Sequence, residues 1–243
     1  MEFTKMEALG NDFIVLDGMN QDIQLSSSDI KKLCDRHYGI GADGVLVLCE
    51  SKIYDFYIRI FNSDSSIAKM CGNGIRCVTK YVHENKITAK NKLKIDTLSG
   101  VKHVSIDHDK ILVDMGRAHI KSHEPYFLVS IGNQHAVKFV GSIQNENECQ
   151  TNLKDYNVEF VEIIDNKHIK VRVIEKGVGE TLACGSGACA AMYSAYLNHL
   201  CLEDVDVELP GGHLRIFYQN HHIFMEGYAR IVYKGEIDID ESL

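Results

Sequence analysis

The strongest constraint on this chain is that it repeats itself. Tyr57-Ile-Arg-Ile-Phe-Asn62 matches Lys170-Val-Arg-Val-Ile-Glu175 at an offset of 113 residues, and Cys71-Gly-Asn-Gly74 matches Cys184-Gly-Ser-Gly187 at the same offset. Leu93-Lys-Ile-Asp-Thr-Leu-Ser-Gly100 resembles Val205-Asp-Val-Glu-Leu-Pro-Gly-Gly212, shifted by one residue. Upstream, Leu9-Gly-Asn-Asp-Phe-Ile-Val15 resembles Ile131-Gly-Asn-Gln-His-Ala-Val137 at an offset of 122. Matches in one order divide the chain into related halves, 1–117 and 118–230, followed by a tail. Two copies are too few for a solenoid. They suit a pair of lobes that face each other across a cleft with approximate two-fold symmetry.

Within each half the same elements recur. Short β-branched runs at 13–16, 45–48 and 56–61, bounded by Gly, Asp and Ser, read as strands. A helix follows each cysteine motif. In the first half Ile75, Val78 and Val82 fall at helical spacing. In the second half 188–197 is apolar nearly all round and wants burial on most sides. Strands resume at 93–96, 101–106 and 111–115, and again at 205–209, 213–218 and 222–228. The expected fold is therefore α/β of the α+β kind, with two pseudo-symmetric halves. Each half is a curved, mostly antiparallel sheet wrapped around a central helix. The alternating tail suggests a last strand within 231–243 that returns to the first half. A further helix is expected from Asp29 to His37. It precedes Gly39-Ile-Gly-Ala-Asp-Gly44, and strand 45–48 follows. That order is the reverse of a dinucleotide-binding loop, so the glycine stretch reads as a turn.

Composition narrows the classes. Hydrophobic residues make up 45% and charged residues 25%, which is ordinary for a globular domain. No apolar run is long enough to span a membrane as a helix. The net charge of −8 carries no concentrated basic stripe, which argues against a nucleic-acid partner. Eight cysteines, at 34, 49, 71, 77, 149, 184, 189 and 201, without a secretion signal are expected as reduced thiols in the cytoplasm. Their spacing contains no Cys-x-x-Cys, so a metal site is not expected.

The two Cys-Gly-x-Gly motifs carry the chemistry. Each stands at the start of its helix, where backbone N–H groups lack intrahelical partners and the macrodipole is positive. Such an end receives a carboxylate and also favours a thiolate. A thiolate on one side and a thiol on the other can invert a carbon centre, removing a proton from one face and delivering one to the other. Donors at the helix ends stabilise the charge that develops on the carboxylate. Cys77 and Cys189 do not match at the repeat offset and read as packed helix residues.

Over nearly its full length the sequence resembles the diaminopimelate epimerase family. The resemblance lies in Lys5-Met-Glu-Ala-Leu-Gly-Asn-Asp-Phe13, Arg36-His-Tyr-Gly-Ile-Gly-Ala-Asp-Gly44, Met70-Cys-Gly-Asn-Gly-Ile-Arg-Cys77, Gly132-Asn-Gln-His135, Glu175-Lys-Gly-Val-Gly-Glu-Thr181 and Ala183-Cys-Gly-Ser-Gly-Ala-Cys189. It implies an isomerase that converts LL- to meso-2,6-diaminopimelate for lysine and peptidoglycan precursors. It implies neither pyridoxal phosphate nor metal, and a homodimer. By position, Cys71 and Cys184 would be the catalytic pair. Asn11, Asn62, Asn133 and Asn157 would hold polar groups of the substrate, and Gly72, Asn73, Gly185 and Ser186 its reacting α-carboxylate. Glu175 and Lys176 would also line the substrate site. His135 and Glu175 would tune the protonation of the thiols. Lys176 stands where the family usually has Arg, and Gln134 where it usually has Pro. The segment between Ala118 and Tyr156 is shorter than in many relatives. Lysine keeps the charge but lacks the planar fork that grips a carboxylate in two places. A racemase of another amino acid on the same scaffold is therefore the alternative reading. Two thiols facing one carbon would also make activity sensitive to oxidation.

Overall fold

The computed structural model describes residues 1–123, 125–144 and 153–238. Cys149 and the 239–243 end of the expected tail strand lie outside them. The backbone divides into two compact units, Met1–Ile111 with Tyr228–Leu243, and Leu112–Gly227.

The first unit opens with a hairpin of β1 (Glu2–Ala8) and β2 (Asn11–Asp17). Leu9 and Gly10 turn it with positive φ at both positions, of 58° and 79°. Strand β3 (Gly44–Cys49) joins β2 in parallel and pairs antiparallel with β4 (Phe56–Asn62). β4 pairs antiparallel with the short β5 (Ile67–Ala68) and in parallel with β6 (Lys92–Asp96). β6 then pairs with β7 (Lys102–Asp107). The last strand, β18 (Arg230–Glu236), returns to lie antiparallel to β1. Helix α2 (Gly72–Glu84) packs on β1, β2, β3, β7 and β18. Its Ile75, Val78 and Val82 are fully buried.

The second unit has the same plan. After β8 (Lys110–Gly116) and β9 (His119–His123), β10 (Tyr126–Ile131) forms a hairpin with β11 (Asn133–Phe139). β11 runs parallel to β12 (Asn157–Ile163), which pairs antiparallel with β13 (His168–Glu175). β13 takes the short β14 (Gly179–Thr181) on one pairing and β15 (Asp204–Leu209), in parallel, on another. β16 (Gly212–Gln219) and β17 (His222–Gly227) complete the run. β9 lies against β10 as β18 lies against β1. Helix α3 (Gly185–Leu197) packs on β10, β11, β12, β13, β15, β16 and β17. Its Ala188 through Met192 are fully buried, which suits a helix without a polar face.

Each unit is thus a mostly antiparallel sheet with a helix against it, and the two are pseudo-symmetric copies. The match is of pairing, not only of residue type. Phe13 faces Gly44 across β2 and β3, and His135 faces Asn157 across β11 and β12. Gly44 faces Asn62. The β12–β13 register, with Val158 facing Ile174, carries Asn157 and Glu175 into the same relation.

One boundary departs from expectation. The first helix, α1, spans Ser27–Cys34 rather than 29–37. Ser26 caps it: the Asp29 N–H donates to Ser26 Oγ at 3.2 Å, and the Ser26 N–H donates to Asp29 Oδ2 at 2.7 Å. It ends early because Asp35 Oδ1 accepts from the N–H groups of His37 and Tyr38, at 2.7 and 2.8 Å. That local bonding replaces the next helical turn.

Candidate active site

Both cysteines of the repeated motif are helix N-caps with extended backbone, at φ −143° for Cys71 and −120° for Cys184. Their surroundings differ.

At Cys71 the sulfur caps its helix, accepting from the Gly74 N–H at 3.4 Å. Asn11 Oδ1 lies 4.0 Å from the sulfur and accepts from Asn73 Nδ2 at 3.1 Å. Asn11 is held in turn by Asp43, whose Oδ2 accepts from Asn11 Nδ2 at 2.8 Å. Asp43 belongs to an ionic network with Arg36, Asp12 and Lys5. Burial pushes Asp12 up, but hydrogen bonds from Arg36 and Lys5 outweigh it and hold the carboxyl well below the usual range. On the inner side Arg76, fully buried, donates to Asn73 Oδ1 at 2.8 Å and to the Tyr228 carbonyl at 3.3 Å. The Gly39–Gly44 turn is therefore the loop that carries Asp43 to Asn11.

At Cys184 no side chain caps the helix. The sulfur is buried and lies 3.6 Å from Ser186 Oγ. Glu175 also hydrogen-bonds it, and accepts from Thr181 Oγ1 at 2.7 Å. Two further ionisable groups stand behind. His135 Nδ1 and Glu159 Oε1 are 2.7 Å apart, with both side chains fully buried. Burial pushes the Cys184 thiol well above its ordinary range, and the carboxylates of Glu175 and Glu159 push the same way. Ser186 and the Gly187 N–H oppose this and lose. The helix-end field alone predicts a lowered thiol, so at Cys184 desolvation and two acids overcome the dipole. Burial likewise raises Glu175, against the hydrogen bonds from Thr181 and Cys184.

The remaining positions fall in two groups. Gly72, Asn73, Gly185 and Ser186 form the first turns of α2 and α3 and are buried. Asn157 is buried and its Oδ1 accepts from the Lys176 N–H at 2.9 Å. Lys176 Nζ, half exposed, donates to Asp155 Oδ1 at 2.9 Å. Asn62 is exposed and donates to Ser66 Oγ at 2.9 Å. Asn133 is exposed at the start of β11. Sequence reasoning missed Glu159, Arg76 and Asp43.

Among the described residues, no group of three or more His, Cys, Asp or Glu is arranged to hold a metal, and no helix is long and apolar enough to cross a membrane.

The fold is shared with a probable proline racemase from Agrobacterium radiobacter, solved with bound carbonate. That chain superposes with a TM-score of 0.76 at 13% identity, covering 99% of this chain and 94% of the other. At that identity the likeness speaks for the fold alone. Sequence goes further. The family described as diaminopimelate epimerase matches residues 3–121 and 127–232. The diaminopimelate epimerase of Methanococcus maripaludis is 39% identical over 277 residues, covering 98% of this chain and 100% of that protein. That of Carboxydothermus hydrogenoformans is 43% identical over 277 residues, covering 97% and 99%. The chain belongs to the diaminopimelate epimerase family, a family of isomerases.

Proposed function

We propose that the chain inverts one α-carbon of 2,6-diaminopimelate, interconverting the LL and meso forms, with Cys71 and Cys184 as the proton-transfer pair. The observation that carries this reading is the repeated placement of a cysteine at the N-cap of a buried helix, once in each unit. In the forward direction the Cys71 thiolate takes the α-hydrogen as a proton, and the C–H electron pair moves toward the carboxylate. The Cys184 thiol delivers its proton to the opposite face. The thiol and thiolate have then exchanged places, and the reverse reaction uses the same groups. N–H groups of the first turns, at Gly72, Asn73, Gly185 and Ser186, receive the carboxylate as its charge grows. Asn11, Asn62, Asn133 and Asn157 position the polar ends of the substrate. His135 and Glu175 govern the proton at Cys184. Lys176 meets the distal carboxylate. We assign the enzyme to the cytoplasm, where thiols stay reduced, and to a homodimer.

The test is incubation with LL- or meso-diaminopimelate in deuterated water under reducing conditions. Label entering the α-position with inversion supports the reading; no label with either isomer overturns it. Mild oxidant should remove the activity and a thiol reductant should restore it; activity unchanged by oxidant counts against a pair of catalytic thiols. A second reading, racemisation of another amino acid, is favoured by Lys176, whose ammonium is shared with Asp155. Loss of optical activity with a different amino acid, faster than with diaminopimelate, establishes it instead.

A further inference from the structure

The pair beneath α3 has no counterpart in the first unit. At the equivalent positions of the first unit, by strand register, stand Phe13 and Leu46: Phe13 faces Gly44 as His135 faces Asn157, and Leu46 faces Ile60 as Glu159 faces Val173. Contacts beneath the two helices repeat this equivalence. A Cβ added at Gly74 would lie 3.0 Å from Leu46 Cδ2, and one added at Gly187 would lie 2.7 Å from Glu159 Oε1. The same fold is thus filled by two apolar side chains in one unit and by a histidine and a carboxylate in the other. Burying such a pair is costly, and apolar residues of similar volume commonly serve stability as well or better. The pair is also incompletely satisfied: His135 Nε2 and Glu159 Oε2 are buried without a hydrogen-bond partner.

We propose that Glu159 is a positioning residue for proton transfer at Cys184. As a carboxylate it accepts the Nδ1 hydrogen of His135 and so fixes the tautomer and orientation of that ring. At the first turn of α3 its charge keeps Cys184 as the thiol when the cycle begins. A second-unit histidine held in one tautomer by a buried acid follows the logic by which a carboxylate orients a catalytic imidazole. The groups facing the Cys184 sulfur are Glu175 from β13 and Glu159 from β12, with Ser186 on α3 itself, while His135 of β11 faces both acids. Glu175 bonds the sulfur directly, whereas Glu159 acts through its charge and through His135. This inference rests on Cys184 being a proton-transfer residue.

The experiment compares Glu159→Gln, Glu159→Asp and the double variant His135→Phe/Glu159→Leu, which installs the pair used by the first unit. The full chain is assayed for α-deuterium incorporation with LL-diaminopimelate across pH. Labelling of Cys71 and Cys184 by iodoacetamide is followed by peptide mass spectrometry. Glu159→Gln should lower kcat/KM by roughly 10- to 100-fold, as loss of an orienting partner typically does. A negative charge beside a thiol resists its ionisation. Removing that charge should move the pH profile about 1 unit to lower pH and raise labelling of Cys184 relative to Cys71. Glu159→Asp should recover part of the rate and of the profile. The double variant should keep the wild-type melting midpoint and remain slow. A Glu159→Gln enzyme with an unshifted pH profile and an unchanged labelling ratio overturns the proposal, whatever its rate, because a purely structural role predicts that result. Failure of the underlying reading is separate: it shows as full inversion by Cys184→Ala.

Discussion

The N-caps of α2 and α3 are built from the same Cys-Gly-x-Gly stretch on the same strand pairing, yet opposite chemistry surrounds them. Cys71 is partly exposed, caps its helix with its own sulfur, and is reached by neutral amides that an ionic network positions from outside. Cys184 is buried and faces carboxylates with a buried histidine behind them. The two units share one strand pairing, but where the first has Phe13 and Leu46 the second has His135 and Glu159. The lesson is that the dipole at a helix N-terminus does not decide a thiol's proton by itself. Burial and neighbouring acids outweigh it at Cys184.

The sharpest way to break this comparison is to remove each sulfur in turn. Cys71→Ala and Cys184→Ala should each lower inversion by about 10²- to 10⁴-fold, the usual worth of a positioned acid or base. Deuterium incorporation with inversion of diaminopimelate is the measurement. If either variant inverts at the wild-type rate, the two caps are not a pair.

The next effect concerns how the Cys71 side is held. Asp12 joins Lys5 and Arg36, with side chains of Asp12 and Lys5 only 15% and 8% exposed. Asp12→Asn should destabilise the chain by about 1–3 kcal/mol, the range for losing hydrogen bonds to a charged group. The pH dependence has a definite sign. A carboxyl held below its ordinary value in the folded chain stabilises it fully above about pH 4, the unfolded value. That stability is lost as the pH falls through the ordinary carboxylate range toward the folded value. Melting followed by circular dichroism should therefore show acid destabilisation that Asp12→Asn flattens. An unchanged acid limb would remove Asp12 from the account.

Much of this was legible in the residues and some was not. Spacing alone placed α2, because Ile75, Val78 and Val82 repeat at the helical period and all point inward. The repeat offset matched Cys71 to Cys184, and both stand at the N-caps of matched helices. Glu159 escaped because a single acid between Val158 and Phe160 reads as the solvent face of an alternating strand. β12 is buried on both faces, and alternation cannot reveal that. Arg76 escaped for a similar reason: on a helix it reads as surface, and only the fold brings Asn73 and the Tyr228 carbonyl to it. Strand β1 was hidden by its charges, although Lys5 is buried against Asp12. Asn62 and Asn133, matched to the site by position, stand exposed.

A smaller perturbation separates the two caps by space alone. An alanine Cβ at 187 would stand 2.7 Å from Glu159 Oε1 and 3.3 Å from the Cys184 sulfur, whereas one at 74 would meet Leu46 Cδ2 at 3.0 Å and Cys71 Cβ at 3.5 Å. Leucine can turn its methyl groups aside. Glu159 is pinned to His135 and cannot withdraw without breaking a buried hydrogen bond. Gly187→Ala should therefore cost about 1–3 kcal/mol of stability, the usual cost of overpacking, with a matching loss of kcat. Gly74→Ala should cost less of both. Equal losses would mean that the two first turns are equally tolerant and that Glu159 is freer than its bond implies.

The smallest expected effect lies outside both caps, at Lys176. Its backbone N–H is fixed by Asn157, so the residue starts from a defined place, while its ammonium is held by Asp155 at the surface. Exposed ion pairs contribute little to stability. Asp155→Asn should accordingly leave the melting midpoint unchanged and free the ammonium for a substrate carboxylate. KM for diaminopimelate should fall a few-fold with kcat unaltered, because the gain lies in binding and not in proton transfer. Lys176→Arg should act in the same direction through bidentate geometry. An unchanged KM in both variants, together with turnover of an amino acid that lacks a distal carboxylate, would place Lys176 outside substrate recognition. The alternative substrate would then become the better reading.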